Sequence, residues 1–359
     1  MQAVAGSERI TVLLIEAVRR NAPHLELGEE AGLFVARSTY QASEHRVKWW
    51  RKAVNFLRYW RAFRKGFKAV VAQRGLPDLS HVHILVRPAI LAWWIERRYG
   101  IPYLVSEQSS EYLDGTYRSK GWAFHVLNRR LFKDAAAVTV VSDWLGNGLK
   151  ALGLCDGYVV VPNVIPGLDR VLPEPGPAHR FLVVADLVDR TKNVSGVIRA
   201  LATTKATAPA VELSIIGDGP DRAMLEALAH STGVADRVTF LGRLPNSAVL
   251  DHMARTGSVI VNSNVETFSV VTGEALAQGK PVIATRCGGP EAFIHQGNGI
   301  LIGRNDIQAL AAAMDDLSRD HQRYHPAAIR ADVTANWGPT AVARGFAELY
   351  RTYSNPVHG

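Results

Sequence analysis

Two carboxylates, Glu266 and Glu274, stand with seven residues between them in the stretch 258–291, SVIVNSNVETFSVVTGEALAQGKPVIATRCGGPE. The β-branched run Val259, Ile260, Val261 reads as a buried strand, and a polar corner follows it. A helix is expected over 269–278, stopped by Gly279 and barred from continuing by Pro281. A second buried strand, 282–285, then leads to the paired glycines Gly288 and Gly289. Glu266 therefore belongs to a loop and Glu274 to a helix. Between them lies a helix N-terminus, whose unpaired N–H groups and partial positive charge seat phosphate. Acid, phosphate seat, acid suits a nucleotide-sugar: one carboxylate for sugar hydroxyls, the helix end for the diphosphate, the second carboxylate for the ribose. Acids at this spacing are common in solvated helices, so the flanking strands and glycines carry the specificity.

The elements that must hold this unit form a regular series. In the second half, strands at FLVVADL, VELSIIG (211–217), RVTFLG (237–242) and GILIG (299–303) alternate with helices over 193–203, after Pro220, from Asn246, and over 306–317. Pro220 is placed in the first turn of its helix. Such alternation with short connections gives a doubly wound parallel sheet with ligands at the strand C-terminal ends. In the first half, strands are expected at 10–15, 81–86, 101–105, 134–142 and 158–161, with a helix over 89–99 and Ser142-Asp143 capping the next one. Met1 to Ser7 reads as the end of a helix. Pro173, Pro175 and Pro177 mark a linker, and 340–353 a terminal helix with Val342, Phe346, Leu349 and Tyr350 on one face.

Composition bounds the remaining readings. The 359 residues exceed one ordinary core and suit two α/β domains. The two cysteines, Cys155 and Cys287, offer neither a disulfide framework nor metal-ligand spacing, which points to a reducing, cytoplasmic setting. The longest apolar run, PAILAWWI, falls short of a membrane span, and VLLIEAV reads as a strand rather than a signal peptide. A net charge of +8 suits anionic partners without choosing among them. His81 and His83 lack partners for a metal site. The GDGPDR run at 217–222 fails as a dinucleotide fingerprint because Arg222 stands at the third glycine position.

Segment 46–68, RVKWWRKAVNFLRYWRAFRKGFK, runs from Arg46 to Lys68 with nine Lys or Arg, no acid and seven aromatics. Trp49, Phe56, Trp60, Phe63 and Phe67 recur at helical spacing. It reads either as an amphipathic core helix with a solvated basic face or as a helix resting on an anionic membrane surface. Nucleic acid is disfavoured, since no recognition module accompanies the patch. A second basic-aromatic stretch, 116–130, reads as cleft lining or helix surface.

Glu266, Glu274, the run Gly279-Lys280-Pro281-Val282-Ile283-Ala284-Thr285 and the loop Gly288-Gly289-Pro290-Glu291 together resemble the donor-site signature of the retaining GT-B glycosyltransferases of family 4. The resemblance implies two Rossmann-like doubly wound α/β domains facing a cleft. Their expected bounds are 1–165 for an acceptor domain and 166–336 for a donor domain. Residues 337–359 form a helix crossing back to the first domain, hinged at Trp337-Gly338-Pro339. The family's opening strand, glycine-rich loop and long helix have no counterpart before the strand at 10–15. The resemblance also implies sugar transfer from a UDP- or GDP-sugar, without metal or other cofactor, to a glycan or lipid-linked acceptor. The setting would be cytoplasmic, or peripheral on the inner membrane face.

In residues, Glu266 would position the donor sugar and Glu274 the ribose. The N–H groups from Thr267 through Phe268 and Ser269 to Val270 would hold sugar and phosphate. Lys192 matches the family's diphosphate lysine. The arginine position holds Asp186 instead, leaving Arg190 to supply charge. Gly217 and Gly219 would form donor-site turns. Gln108, with Glu107 before it, stands where relatives carry a histidine facing the donor sugar; glutamine can hydrogen-bond a hydroxyl but carries no proton. Pro162-Asn163 resembles the exit from the first domain. Alternatives are a glycoside hydrolase using Glu266 and Glu274, a nucleotide-sugar epimerase, and a truncated or non-catalytic binder.

Overall fold

A computed structural model describes residues 9–19, 23–83, 87–204 and 210–354. The chain opens with β1 (Thr11–Val18), β2 (Leu25–Glu30) and β3 (Leu33–Gln41), ordered β1-β3-β2. β1 runs parallel to β3, while β2 and β3 form an antiparallel hairpin. Its two turn residues, Ala31 (φ 50°) and Gly32 (φ 78°), take the positive φ values that match the twist of the flanking strands. This hairpin departs from the purely parallel sheet expected of the first half. Residues 1–7, expected to end a helix, lie outside the described residues.

Helix α1 (Lys48–Arg74) returns antiparallel along β3. Tyr59 sets its ring edge-on to Tyr40 near the C-terminal end of the strand, and the Ser38 hydroxyl donates to the Ala62 carbonyl at 2.8 Å. A four-stranded parallel sheet follows: β4 (Ser80–His83), β5 (Tyr103–Glu107), β6 (Ala137–Val140) and β7 (Val159–Val160). The connecting helices are α2 (Arg87–Tyr99), α3 (Trp122–Lys133) and α4 (Asp143–Ala151). Ser142 caps α4 as expected, its hydroxyl accepting from the Leu145 amide. The strand expected over 81–86 extends only to His83 among the described residues, which exclude 84–86.

The second half is one six-stranded sheet, parallel throughout. It comprises β8 (Arg180–Val184), β9 (Glu212–Ile216), β10 (Val238–Gly242), β11 (Ser258–Val261), β12 (Val282–Thr285) and β13 (Gly299–Ile302), ordered β10-β9-β8-β11-β12-β13. The order reverses between β8 and β11, which is the topological switch point of a doubly wound sheet. Its helices are α5 (Asp189–Lys192), α6 (Val194–Thr203), α7 (Arg222–Ser231), α8 (Asn246–Arg255), α9 (Val270–Ala277) and α10 (Ile307–Arg319). Pro220 sits in the turn before α7, not in its first turn.

Helix α9 is buried on every side from Thr272 to Ala277, so it carries small residues rather than an amphipathic pattern. A Cβ at Gly273 would come 2.2 Å from Ile165, which packs there at the exit from the first half. Two last helices, α11 (Pro326–Trp337) and α12 (Pro339–Tyr353), meet at Gly338. Sequence reasoning passed over α11. Val342, Leu349 and Tyr350 of α12 pack on Leu104 and Val161 of the first half. His81 joins the Tyr350 hydroxyl through Nδ1 and the Ser106 hydroxyl through Nε2, both at 2.7 Å. Burial lowers its pKa to about 3, so the ring is neutral. Among the described residues no helix is long and apolar enough to cross a membrane.

Candidate active site

The end of β8 (Val183, Val184, Ala185) and the end of β11 (Ile260, Val261) open onto a cavity of about 290 Å³ at the switch point. Gln108 and Asn163 close it from the first half. Lys192, Asn262, Ser263 and Glu266 through Val271 line it from the second. The Lys192 ammonium donates to Glu266 Oε1 at 2.6 Å, and the Ser263 hydroxyl donates to the same oxygen at 2.7 Å. An ammonium has three donors, so two remain for an incoming oxyanion.

The loop bearing Glu266 is fixed by its backbone. Glu266 N–H donates to the Cys287 carbonyl at 3.0 Å, and Gly289 N–H to the Glu266 carbonyl at 2.8 Å. A Cβ at Gly289 would stand 2.4 Å from the Phe268 backbone, so the second glycine permits this approach. Ser269 then takes φ 70° and ψ 72°, a left-handed conformation uncommon for serine. Its hydroxyl pairs with Thr272 at 2.8 Å and does not cap α9. The first amides of the helix are thus left for a ligand beside Lys192, the arrangement expected of a phosphate seat. Across the cleft, the Ser142 hydroxyl donates to the Thr267 carbonyl at 2.5 Å.

Residues 5–164 match the family "Glycosyl transferase 4-like domain" and residues 167–332 the family "Glycosyl transferases group 1". The chain belongs to the group 1, family 4 glycosyltransferases. It is 26% identical over 301 residues to the glycogen synthase of Mycobacterium tuberculosis, covering 76% of this chain and 68% of that one. In fold it resembles the sucrose-phosphate synthase from Thermosynechococcus elongatus. That likeness has a TM-score of 0.75 at 20% identity and covers 98% of this chain and 91% of that one. It also resembles Anabaena Alr3699/HepE in complex with UDP and glucose, with a TM-score of 0.67 at 18% identity, covering 88% of this chain and 86% of that one. These neighbours establish the GT-B architecture.

Of the residues singled out in this glycosyltransferase, Gln108, Lys192, Glu266, Thr267, Phe268, Ser269 and Val270 converge on the cavity. Glu274 lies deeper on α9, only 4% exposed, and accepts from Asn246 Nδ2 at 2.7 Å. Burial raises its pKa, and the Asn246 bond partly offsets that. Glu107 turns away: its buried carboxylate accepts from the amides of Gln108 and Ser109, both at 2.8 Å, and so shapes the loop rather than facing the cavity. Arg190 is exposed outside the cavity lining. Asp186 pairs instead with Arg243, at 3.1 Å.

Gly217 and Gly219 are also outside the lining. A Cβ at Gly217, whose φ is 140°, would meet the Ala185 carbonyl at 1.8 Å, and one at Gly219 the Leu187 carbonyl at 2.5 Å. Leu187 exchanges backbone bonds with Asp218 and Asp221 at 3.0 and 3.1 Å. The glycines therefore hold the segment that carries Lys192. Sequence reasoning missed the roles of Ser263 and Asn246, and saw Asn163 only as a domain exit. Asn163 Nδ2 donates to Gln108 Oε1 at 3.2 Å and fixes the amide facing the cavity. The spacing of Ser263 three residues before Glu266 was the available signal.

Proposed function

We propose that this glycosyltransferase moves a sugar from a nucleoside-diphosphate-sugar to a glycan or lipid-linked acceptor with retention of configuration. The Lys192–Glu266 pair, set beside the uncapped N-terminus of α9 at the switch point, carries this reading. The diphosphate takes the α9 amides and the free donors of Lys192, which together offset its charge without a metal ion. Glu266 and Gln108 orient the sugar; Glu274, held by Asn246, accepts from the ribose hydroxyls. The bond from the anomeric carbon to the diphosphate breaks as charge collects on the leaving oxygen. The acceptor hydroxyl bonds to that carbon on the same face, and its proton passes to the diphosphate.

The base is uracil or guanine; a neighbour in fold was solved with UDP and glucose, which supports the former. In this reading residues 1–165 serve the acceptor, 166–336 the donor, and 337–359 join the two. The enzyme works in the cytoplasm, with an anionic membrane surface as partner of segment 46–68. The Asp186–Arg243 pair, in place of a cationic diphosphate contact, is the observation that favours a non-catalytic binder. Turnover separates the two. Nucleotide release from UDP-glucose or GDP-mannose, lost in Glu266→Gln, supports transfer. Tight nucleotide binding with no turnover of any donor supports the binder. Conversion of the donor to its epimer without nucleotide release would instead make the protein an epimerase.

A further inference from the structure

Helix α1 divides into two unlike parts. Its second part is core, with Tyr59, Phe63, Phe67 and Val70 buried. Its first turns stand clear of the body: every residue from Glu44 to Ala53 is exposed. There Trp49 is 68% and Trp50 47% exposed, with Val47, Phe56 and Leu57 also outside. The two indoles meet edge to face at 5.4 Å. Arg46, Lys48, Arg51 and Lys52 surround them, and among the described residues none of these four forms an ion pair. Glu44 is the single acid between residues 44 and 68. Unpaired cations around solvent-facing indoles are poor packing but fit the boundary between anionic headgroups and acyl chains.

The topology fixes which end of the molecule this is. α1 runs antiparallel to β3, so Trp49 and Trp50 lie beyond the strand's C-terminal end. α1 and α2 run in the same direction, since Trp60 packs on Trp94 and Phe67 on Tyr99. The strand ends of both first-half sheets therefore point one way. Gln108, directly after β5, lines the cavity, so that way is toward the cleft. Trp122 opens α3 at the same end, 80% exposed, with Val126 one turn on. The apolar tips thus flank the cleft rather than its far side.

We infer that the first turns of α1, with the tip of α3, seat the enzyme on an anionic phospholipid bilayer with its cleft facing the surface. The consequence, resting on the transferase reading, is that the acceptor is lipid-linked and enters from the bilayer. This narrows the membrane contact from the whole of segment 46–68 to its first half, and adds an element that segment does not contain.

The test is flotation of the full chain with vesicles of equal parts phosphatidylcholine and phosphatidylglycerol, against phosphatidylcholine alone, with neither nucleotide nor sugar present. Wild type should float with the anionic vesicles and be released by salt. Arg51→Gln with Lys52→Gln should weaken binding about thirtyfold, roughly fivefold per cation. Trp49→Ala with Trp50→Ala should weaken it at least as much. It should also reduce the quenching of tryptophan fluorescence by brominated phospholipid, which surface adsorption alone does not produce, leaving the part due to Trp122. Lys65→Gln with Lys68→Gln, on the second half of α1, is the comparison pair and should weaken binding less than the Arg51/Lys52 pair. Failure of wild type to float, equal loss in both charge pairs, or an unchanged tryptophan variant overturns the proposal. So does a tryptophan-dependent dimer in the absence of vesicles, which would assign the tip to a second copy. All substituted positions are exposed, and melting temperature checks the fold. UDP and GDP titration reports separately on the donor site, so failure of either reading is distinguishable.

Discussion

Lys192 and Glu266 share a 2.6 Å hydrogen bond at the cavity wall, yet their substitutions should behave differently. Lys192→Ala removes a charge-assisted donor worth about 1.5–3 kcal/mol, so nucleoside diphosphate affinity should fall roughly 10- to 150-fold by titration calorimetry. Glu266→Gln should leave nucleotide affinity within about threefold while turnover falls by about two orders of magnitude, the split expected of a group that holds sugar rather than diphosphate. Glu274 carries a pH signature. Its pKa is raised above the ordinary 4.5, chiefly by burial, so its contribution to stability is full below that value and is lost as pH rises through its folded value. Denaturation at a series of pH values should show this decline, and Glu274→Gln should flatten it. At this scale the sequence displayed Lys192 and Glu266 through their loop context. It could not display Asn246, whose meaning lies in a contact made only on folding, and it hinted at Ser263 only through its place three residues before Glu266. Nor could it show that Glu107 serves its own loop, because an acid at a strand end looks the same whether it faces in or out.

At the scale of elements, the loop 285–291 and the Glu266 loop act as one unit, joined by paired backbone bonds. Gly289→Ala should drive its Cβ into the Phe268 backbone, 2.4 Å away, and displace the amides next to Glu266. The expected result is loss of turnover together with weaker nucleotide binding, larger in proportion than any fall in melting temperature. Helix α12 depends on His81, whose pKa burial lowers from 6.5 to about 3. Its stabilising contribution is present above pH 6.5 and is lost as pH falls toward 3. Melting temperature should therefore drop between neutral pH and about pH 4, less steeply in His81→Phe, although that variant starts lower for want of two hydrogen bonds. Buried parallel strands and their alternation with helices were readable from apolar runs and turn residues. The β2–β3 hairpin was not, since its turn uses Ala31 where Asn or Asp would have signalled it, and α11 lacks an amphipathic pattern strong enough to stand out.

At the scale of the molecule, the two halves touch directly beside the donor loop. The Ser142 hydroxyl donates to the Thr267 carbonyl, and Trp144 lies against Gly288, where any Cβ would strike the indole at 2.4 Å. The doubly wound organisation was legible because parallel sheets impose long, regular crossover units on the sequence. Which helix ends face the cleft was not legible, because it depends on the relative direction of α1 and α2, which only their aromatic contacts reveal. The account rests on one proposition, that the switch-point cavity takes a nucleoside diphosphate through Lys192 and the end of α9. The most direct test is isothermal titration of UDP and GDP into wild type, Lys192→Ala and Glu274→Ala. The account predicts micromolar binding of one nucleotide to wild type, weakened in both variants. Absence of binding by either nucleotide, with or without magnesium, or binding indifferent to both substitutions, would contradict it.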